Sequence, residues 1–136
     1  MTEQHLLGID HVGVAVSGFD AALEWYARVL GMVCTHEEIN EAQGVREGML
    51  SPASLLAADG APSSAAQLQV LAPLTPESTI AKFLDRNGQG IQQLAYRVED
   101  IDAVCATLRE RGLRLLYDEP RRGTSDSRIN FIHPKD

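Results

Sequence analysis

Apolar and polar residues in the first half of the chain follow the periods of several strands and one helix. Valine and isoleucine cluster ahead of the Ser17-Gly18 pair, which is typical of a strand. From Phe19 onwards apolar residues recur at near-helical spacing, and Gly31 is a natural stop for the predicted helix. The predicted order is strand, helix, strand, strand and strand, at residues 8–16, 19–30, 32–39, 45–50 and 67–72.

A connecting helix and a second group of elements follow. Thr75 is predicted to cap a helix over about 75–87, with Pro76 at its first position. The stretch 51–66, which is rich in Ala, Ser and Pro, is predicted to be a surface loop. After Gly88 the pattern resumes as strand, helix, strand and strand, at residues 90–98, 100–111, 112–120 and 127–134.

The second group of elements repeats the first. Gly8-Ile9-Asp10-His11 aligns with Gly90-Ile91-Gln92-Gln93, and the order, length and end signals of the following elements agree. We therefore predict an α+β fold of two βαβββ modules, in which the second lacks its last strand. The expected organisation is a single domain over 1–136, with modules at about 8–73 and 90–136 joined by the helix. The internal symmetry leads us to expect that the natural protein extends past Asp136.

Composition limits the classes of function. Hydrophobic residues make up 44% and charged residues 23%, the balance of a globular domain. The formal charge of -7 argues against nucleic-acid binding as the main role. No apolar run is long enough to cross a bilayer, no secretory signal is visible, and the two cysteines make no disulfide framework, so a cytoplasmic protein is expected. Basic residues concentrate in the C-terminal segment, which is either a solvated face or a site for a small polyanion.

A few polar residues in apolar strands are the candidates for chemistry. The repeat places His11 and Gln93 at equivalent positions, so a local twofold would bring them together in one cleft. Gln67 and Gln69 share a face of their strand because strand side chains alternate. With a carboxylate, such residues suit a divalent ion that takes nitrogen and oxygen ligands, although a structural histidine and solvent-facing glutamines fit the spacing equally. Glu47 is either a buried base with a raised pKa or an outward-facing acid.

The chain resembles a known enzyme family. The two βαβββ modules, with a histidine in the first strand, resemble the arrangement found in the vicinal oxygen chelate superfamily. This superfamily includes glyoxalase I, extradiol dioxygenases and bleomycin-resistance proteins. Within it, the chain closely resembles the methylmalonyl-CoA epimerases, especially the actinobacterial forms, over almost its whole length except the Ala/Ser-rich stretch near 52–66. The segments that carry this resemblance are IDHVGVAV, EEINEAQGVREGML, APLTPESTIAKFLDRNG and LYDEPRRGTSDSRINFIHPKD.

The resemblance implies roles for individual residues. The metal ligands of the family fall on His11, Gln69 and Gln93, and Gln93 is a departure because the family has a histidine there. The family's fourth ligand, a glutamate in a final strand, has no counterpart in this sequence. The proposed catalytic glutamate falls on Glu47. The implied cofactor is a divalent ion, Co²⁺ by resemblance, with Mn²⁺, Zn²⁺ or Ni²⁺ as alternatives.

The implied activity is metal-dependent epimerisation of methylmalonyl-CoA at C2 through an enediolate. Because CoA carries phosphates, Arg122, Arg128 and Lys135 become candidates to bind the thioester substrate. Relatives are often homodimers, so a homodimer is expected, with no nucleic-acid or membrane partner. Two alternatives stay open: another enzyme of the superfamily, either a different CoA-ester epimerase or a glyoxalase-like lyase, and a metal-free small-molecule binding protein.

Overall fold

The computed structural model describes residues 6–56, 65–123 and 127–133, and its α+β architecture confirms the predicted fold class. These residues fall into two compact units, one formed by Ile9–Ala95 and the other by the described parts of 1–8 and 96–136. The elements are β1 (Leu6–Ala15), α1 (Phe19–Leu30), β2 (Met32–Asn40), β3 (Val45–Pro52), a 3₁₀ turn (Ala53–Leu55), β4 (Gln67–Pro73), α2 (Thr79–Asn87), β5 (Gly90–Val98), α3 (Ile101–Glu110), β6 (Arg121–Arg122) and β7 (Arg128–Ile129).

The first unit is built around one five-stranded sheet. Its strand order is β2-β3-β4-β1-β5, with β1 parallel to β4, and with β3 antiparallel to both β2 and β4. The chain can return to pair β4 beside β1 in parallel because α1 and the β2–β3 hairpin supply the long connection that a parallel pair requires. Gly31 ends α1 in the left-handed conformation at φ 65°, which turns the chain directly into β2.

The sheet separates two hydrophobic clusters. On one face, α1 packs over a cluster of Val16, Phe19, Leu50, Val70 and Ala72. On the other face, α2 packs over a second cluster of Ala15, Val45, Leu71 and Ile80. Neighbouring residues of β4 belong to different clusters because strand side chains alternate between faces. Gln69 therefore shares the face of Leu71, and the predicted site residues extend that face beyond the α2 cluster.

The connecting helix begins later than predicted. Ser78, rather than Thr75, is the N-cap of α2, and its hydroxyl accepts a hydrogen bond from the Ala81 backbone N–H at 3.1 Å. Ser78 is buried, whereas Thr75 is exposed and contributes its backbone carbonyl to a turn with Ser78 N–H. The predicted cap was wrong because Thr75 and Ser78 are both good capping residues, and packing selected the buried one.

In the second unit the helix prediction is confirmed and the strand predictions are largely wrong. Asp100 caps α3 by accepting hydrogen bonds from the backbone N–H groups of Asp102 and Ala103. The region 112–120 forms no extended strand, and its one described bridge joins Leu115 to Ile132. Of the predicted strand 127–134, whose last residue lies outside the described residues, Arg128–Ile129 forms a strand and pairs with Arg121–Arg122.

In this segment, side chains hydrogen-bond to backbone groups that would pair with a neighbouring strand in a longer sheet. The Asn130 amide accepts from Tyr117 N–H at 3.1 Å and donates to the Tyr117 carbonyl at 2.9 Å. The Arg109 guanidinium donates to the carbonyls of Tyr117 and Asp118, at 2.9 Å each. Because these backbone groups are satisfied by side chains, the segment holds an irregular path without strand pairing.

Candidate active site

Side chains from four neighbouring strands meet in one hydrogen-bonded chain. Gln69 of β4 donates through Nε2 to Oε2 of Glu47 on β3, at 2.8 Å. Gln93 of β5 donates through Nε2 to Oε1 of Gln69, at 2.7 Å. The same nitrogen of Gln93 lies 3.4 Å from Nε2 of His11 on β1. All four residues belong to the first unit, and the structure brings His11, Gln69, Gln93 and Glu47 together.

Strand register and a glycine make this meeting possible. In the parallel pair of β1 and β4, His11 lies opposite Gln67, and Gly13 lies opposite Gln69. A Cβ atom on Gly13 would come within 2.4 Å of Cγ of Gln93. The Gln93 side chain therefore crosses β1 over the space that Gly13 leaves open, and only in this way does it reach Gln69 on the next strand.

The two side chains at the carboxylate end of this hydrogen-bonded series are deeply buried. Glu47 is 4% exposed and Gln69 is 2% exposed. A buried carboxylate is costly unless polar partners stabilise it, and the short hydrogen bond from the Gln69 amide does so. Glu47 is therefore a buried carboxylate, and the interpretation of it as an outward-facing acid is wrong. A carboxylate kept in such a place is a strong indication of a functional role.

Asp10 fixes the state of the histidine. Oδ2 of Asp10 lies 2.8 Å from Nδ1 of His11. An ionised carboxylate only accepts hydrogen bonds, so the proton of the neutral imidazole is on Nδ1. The Nε2 lone pair of His11 is left facing Gln93. Sequence reasoning assigned no role to Asp10, although its place directly before His11 was a signal that could have been used.

A second polar group lies beside the site, and of its members only Gln67 was identified from the sequence. Gln67 donates through Nε2 to Oγ of Ser51 at 3.1 Å and to Oγ1 of Thr35 at 3.4 Å. The predicted sharing of a face by Gln67 and Gln69 is correct, because both project toward polar groups of β3. Ser51 continues the period-two series that starts at Glu47, and this spacing is the signal by which it could have been found.

The donor set can be tested against a divalent ion. In residues 6–56, 65–123 and 127–133, no three His, Cys, Asp or Glu side chains converge on one point. The atoms that do converge are the His11 imidazole nitrogen and the amides of Gln69 and Gln93, with Glu47 behind Gln69. Nitrogen and oxygen donors suit ions of intermediate hardness. The set fits such an ion if the Gln93 amide turns its oxygen, in place of its NH₂ group, toward the other two donors.

The basic candidates belong to the second unit. Arg128 donates to both carboxylate oxygens of Asp102, at 3.0 Å each. This hydrogen-bonded pair lowers the pKa of Asp102 and raises that of Arg128. Arg122 lies exposed in β6, opposite Arg128. Lys135 lies outside the described residues.

Sequence comparison identifies the family. The sequence profile of the Glyoxalase/Bleomycin resistance protein/Dioxygenase superfamily matches residues 10–131. The chain belongs to this superfamily, whose enzymes are generally metal-dependent. In the described residues, no helix is both long and apolar enough to cross a membrane.

Within the superfamily, the chain is similar to epimerases of CoA thioesters. The crystal structure of methylmalonyl-CoA epimerase from Mycobacterium tuberculosis is 54% identical, covers 99% of this chain and 84% of that chain, and has a TM-score of 0.88. The Streptomyces coelicolor methylmalonyl-CoA epimerase, as a glutamate-to-glutamine variant with 2-nitronate-propionyl-CoA, is 44% identical with a TM-score of 0.85, covering 96% of this chain and 89% of that chain. The ethylmalonyl-CoA/methylmalonyl-CoA epimerase of Cereibacter sphaeroides is 32% identical over 94% of this chain and 89% of its own length.

Proposed function

We propose that this protein is a methylmalonyl-CoA epimerase that inverts C2 by removing and returning its α-proton. The observation that carries the proposal is the buried Glu47 carboxylate, hydrogen-bonded to Gln69 at 2.8 Å within a set of converging polar side chains. Solved structures that are 44–54% identical to this chain bear the name of the same activity. The superfamily alone would allow many chemistries, so the site and these relatives together support the choice.

Glu47 is proposed as the general base of the reaction. The C–H bond at C2 breaks, its proton passes to a carboxylate oxygen of Glu47, and the electron pair delocalises onto the thioester oxygen as an enediolate. The hydrogen bond from Gln69 to Oε2 fixes the orientation of the carboxylate. A second general acid on the opposite face of C2 gives its proton to the enediolate carbon, and Glu47 later releases its own proton to solvent, which completes the epimerisation. Proton removal at one face is the step that the described residues account for.

His11, Gln69 and Gln93 are proposed to hold a divalent ion, with Co²⁺ as the first choice and Mn²⁺, Zn²⁺ or Ni²⁺ as alternatives. His11 offers Nε2 because Asp10 holds its proton on Nδ1, and Gln69 offers Oε1 because Glu47 accepts from its NH₂ group. Gln93 offers Oε1 once its amide has turned. The chemistry that the bound ion supplies is stabilisation of negative charge on the substrate oxygens.

Deuterium exchange tests the proposed activity. We expect methylmalonyl-CoA incubated in heavy water with the protein and Co²⁺ to gain deuterium at C2, and to stop gaining it when a chelator is added. Mass spectrometry of the thioester measures the exchange. Propionyl-CoA is the matched control, because it lacks the carboxylate oxygen that would bind the ion together with the thioester oxygen, and no exchange is expected. A folded, Co²⁺-loaded protein that exchanges neither substrate would contradict the proposal.

A metal-free binding protein is the second candidate. It is favoured by the donor set, which contains a single imidazole and, in the described part of the chain, no cluster of three His, Cys, Asp or Glu side chains. Such a protein would bind the thioester in stoichiometric amounts, with the same affinity before and after chelation, and would leave its C2 proton in place. The exchange experiment therefore separates the two candidates.

Arg122 and Arg128 are proposed to bind the CoA phosphates, together with Lys135 outside the described residues. Arg128 already forms an ion pair with Asp102, so its contribution to binding of the CoA phosphates is expected to be modest. Changing Arg128 to glutamine should raise KM for methylmalonyl-CoA by about two- to fivefold, the effect of one exposed ion pair. KM for the methylmalonyl thioester of pantetheine, which lacks those phosphates, should not change. Equal KM values for wild type and variant with the CoA thioester would refute this assignment.

The proposal also includes the domain organisation, the oligomeric state and the location that were predicted from the sequence. We propose a single domain over 1–136 that acts as a homodimer in the cytoplasm. The strand β5 lies at the edge of the sheet and exposes Ile91 and Leu94, which supports an association there. A sedimentation mass equal to one chain would contradict the homodimer.

A further inference from the structure

The two ends of the Gln67 amide have different surroundings. Its Nε2 donates to Oγ of Ser51 at 3.1 Å and to Oγ1 of Thr35 at 3.4 Å. The Thr35 hydroxyl gives its own hydrogen to the Met49 carbonyl at 3.3 Å, so its oxygen can only accept from Gln67. The NH₂ group of Gln67 is therefore held toward β3, and Oε1 is turned away from that strand. In the described part of the chain, no group donates to this oxygen.

This oxygen lies beside the residues of the candidate site. His11 is opposite Gln67 in the parallel pair of β1 and β4, so the two side chains are neighbours on one face. Gln69 follows on the same face of β4, two residues further on, which is a spacing of about 6.5 Å. The Gln69 amide in turn contacts Glu47. Oε1 of Gln67 is thus an acceptor one side chain away from the group that contacts the proposed base.

The spacing matches the thioester that is proposed as the substrate. Five bonds separate C2 of the acyl group from the nearest amide nitrogen of the pantetheine arm, through the carbonyl carbon, the sulfur and two methylene groups. An extended chain gains about 3.3–3.6 Å for every three bonds, so these five bonds span about 6 Å. With C2 beside Glu47, this N–H group therefore comes to the neighbourhood of Gln67. An amide N–H is a donor, and Oε1 of Gln67 is the acceptor that it requires.

We propose that Gln67 is a specificity-determining residue, whose Oε1 accepts a hydrogen bond from the pantetheine amide nearest the sulfur. The inference rests on the proposed function, because the thioester belongs to it. Ser51 and Thr35 are positioning residues, since they hold the NH₂ group of Gln67 and so direct its oxygen to the substrate. Gln67 selects thioesters that carry an amide at this distance from the sulfur, and it takes no part in removing the proton.

The affinities for two matched thioesters test this assignment. One is the methylmalonyl thioester of pantetheine, and the other has an oxygen atom in place of the N–H group nearest the sulfur. We expect isothermal titration calorimetry to show that wild type binds the amide thioester about three- to tenfold more tightly, the effect of one net hydrogen bond. Gln67→Leu removes the acceptor and should lose this preference. Because both thioesters are measured on one preparation, partial unfolding of a variant leaves the ratio of the two dissociation constants unchanged.

Gln89→Leu is the matched control. Gln89 directly precedes β5 and accepts two hydrogen bonds from Ser17, at 2.9 and 3.1 Å, outside the candidate site. This variant should keep the wild-type preference.

The possible outcomes separate the role of Gln67 from the proposed activity. Equal affinities of wild type for the two thioesters overturn the assignment, and so does a lack of binding of both or an undiminished preference in Gln67→Leu. Deuterium exchange at C2 judges the epimerase activity independently. Exchange by a wild type without the preference would refute the role of Gln67 alone. A preference that Gln67→Leu loses, in a protein that exchanges nothing, would support the amide contact and count against the epimerase.

Discussion

Replacing Glu47 by glutamine is expected to lower the rate of deuterium exchange at C2 by about 10²–10⁴-fold, the usual contribution of a positioned general base. The substitution removes the carboxylate and keeps the shape of the side chain. An amide oxygen at this position can still accept the hydrogen bond that Gln69 now donates to Oε2, so the neighbouring side chains should keep their places. The loss should therefore appear in kcat, with little change in the affinity for the thioester. Mass-spectrometric exchange and direct epimerisation assays measure it.

Glu37 provides the control for this substitution. It lies on β2, is exposed, and accepts hydrogen bonds from Arg46 at 3.0 and 3.2 Å. Glu37→Gln makes the same chemical change outside the site, and we expect exchange to stay within about twofold of wild type because exposed ion pairs contribute little. If Glu47→Gln exchanged as fast as Glu37→Gln, Glu47 would not be the base. If both were slow, the loss would reflect general damage to the sheet.

The first module could be predicted because each of its elements has a strong local signal. Hydrophobic spacing and Gly31 fixed α1, and alternation fixed β4 around Gln69. In the second module the same signals predicted β5 and α3 correctly, but they also predicted a strand at 112–120 that did not form. Asn130 and Arg109 hydrogen-bond the backbone around Tyr117, and no local pattern shows that a side chain will replace a strand partner. Propensity was overridden there by tertiary hydrogen bonding.

The site was predictable at the level of which residues meet. The internal repeat pointed to His11 and Gln93, polar positions in apolar strands pointed to Gln69 and Glu47, and the resemblance assigned a role to each. The sequence could not show that Gln93 would reach its partners by passing over Gly13. That arrangement depends on the pairing of β1 with both β4 and β5, and cross-strand register is not written in the sequence of any single strand.

Replacing Gly13 by alanine tests this arrangement through the stability of the protein. The added Cβ would lie 2.4 Å from Cγ of Gln93, and the three nearest side-chain atoms all belong to Gln93. Overpacking of this kind costs about 1–3 kcal/mol, so we expect urea denaturation to give a free energy of unfolding lower by that amount. The Gln93 side chain would also be pushed off Gln69, opening the hydrogen-bonded chain of the site.

The effect of Gly13→Ala on the free energy of unfolding should change sign in a Gln93→Ala background. Gly13 does not have a positive φ, so alanine fits its backbone, and removing Cγ of Gln93 removes the clash. An alanine that fits where glycine stood stabilises a protein by about 0.4–1 kcal/mol, because it restricts the unfolded chain. We therefore expect Gly13→Ala to destabilise the wild type and to stabilise the Gln93→Ala variant. An equal cost in both backgrounds would mean that the alanine meets something other than Gln93, and that the crossing over Gly13 does not hold the site together.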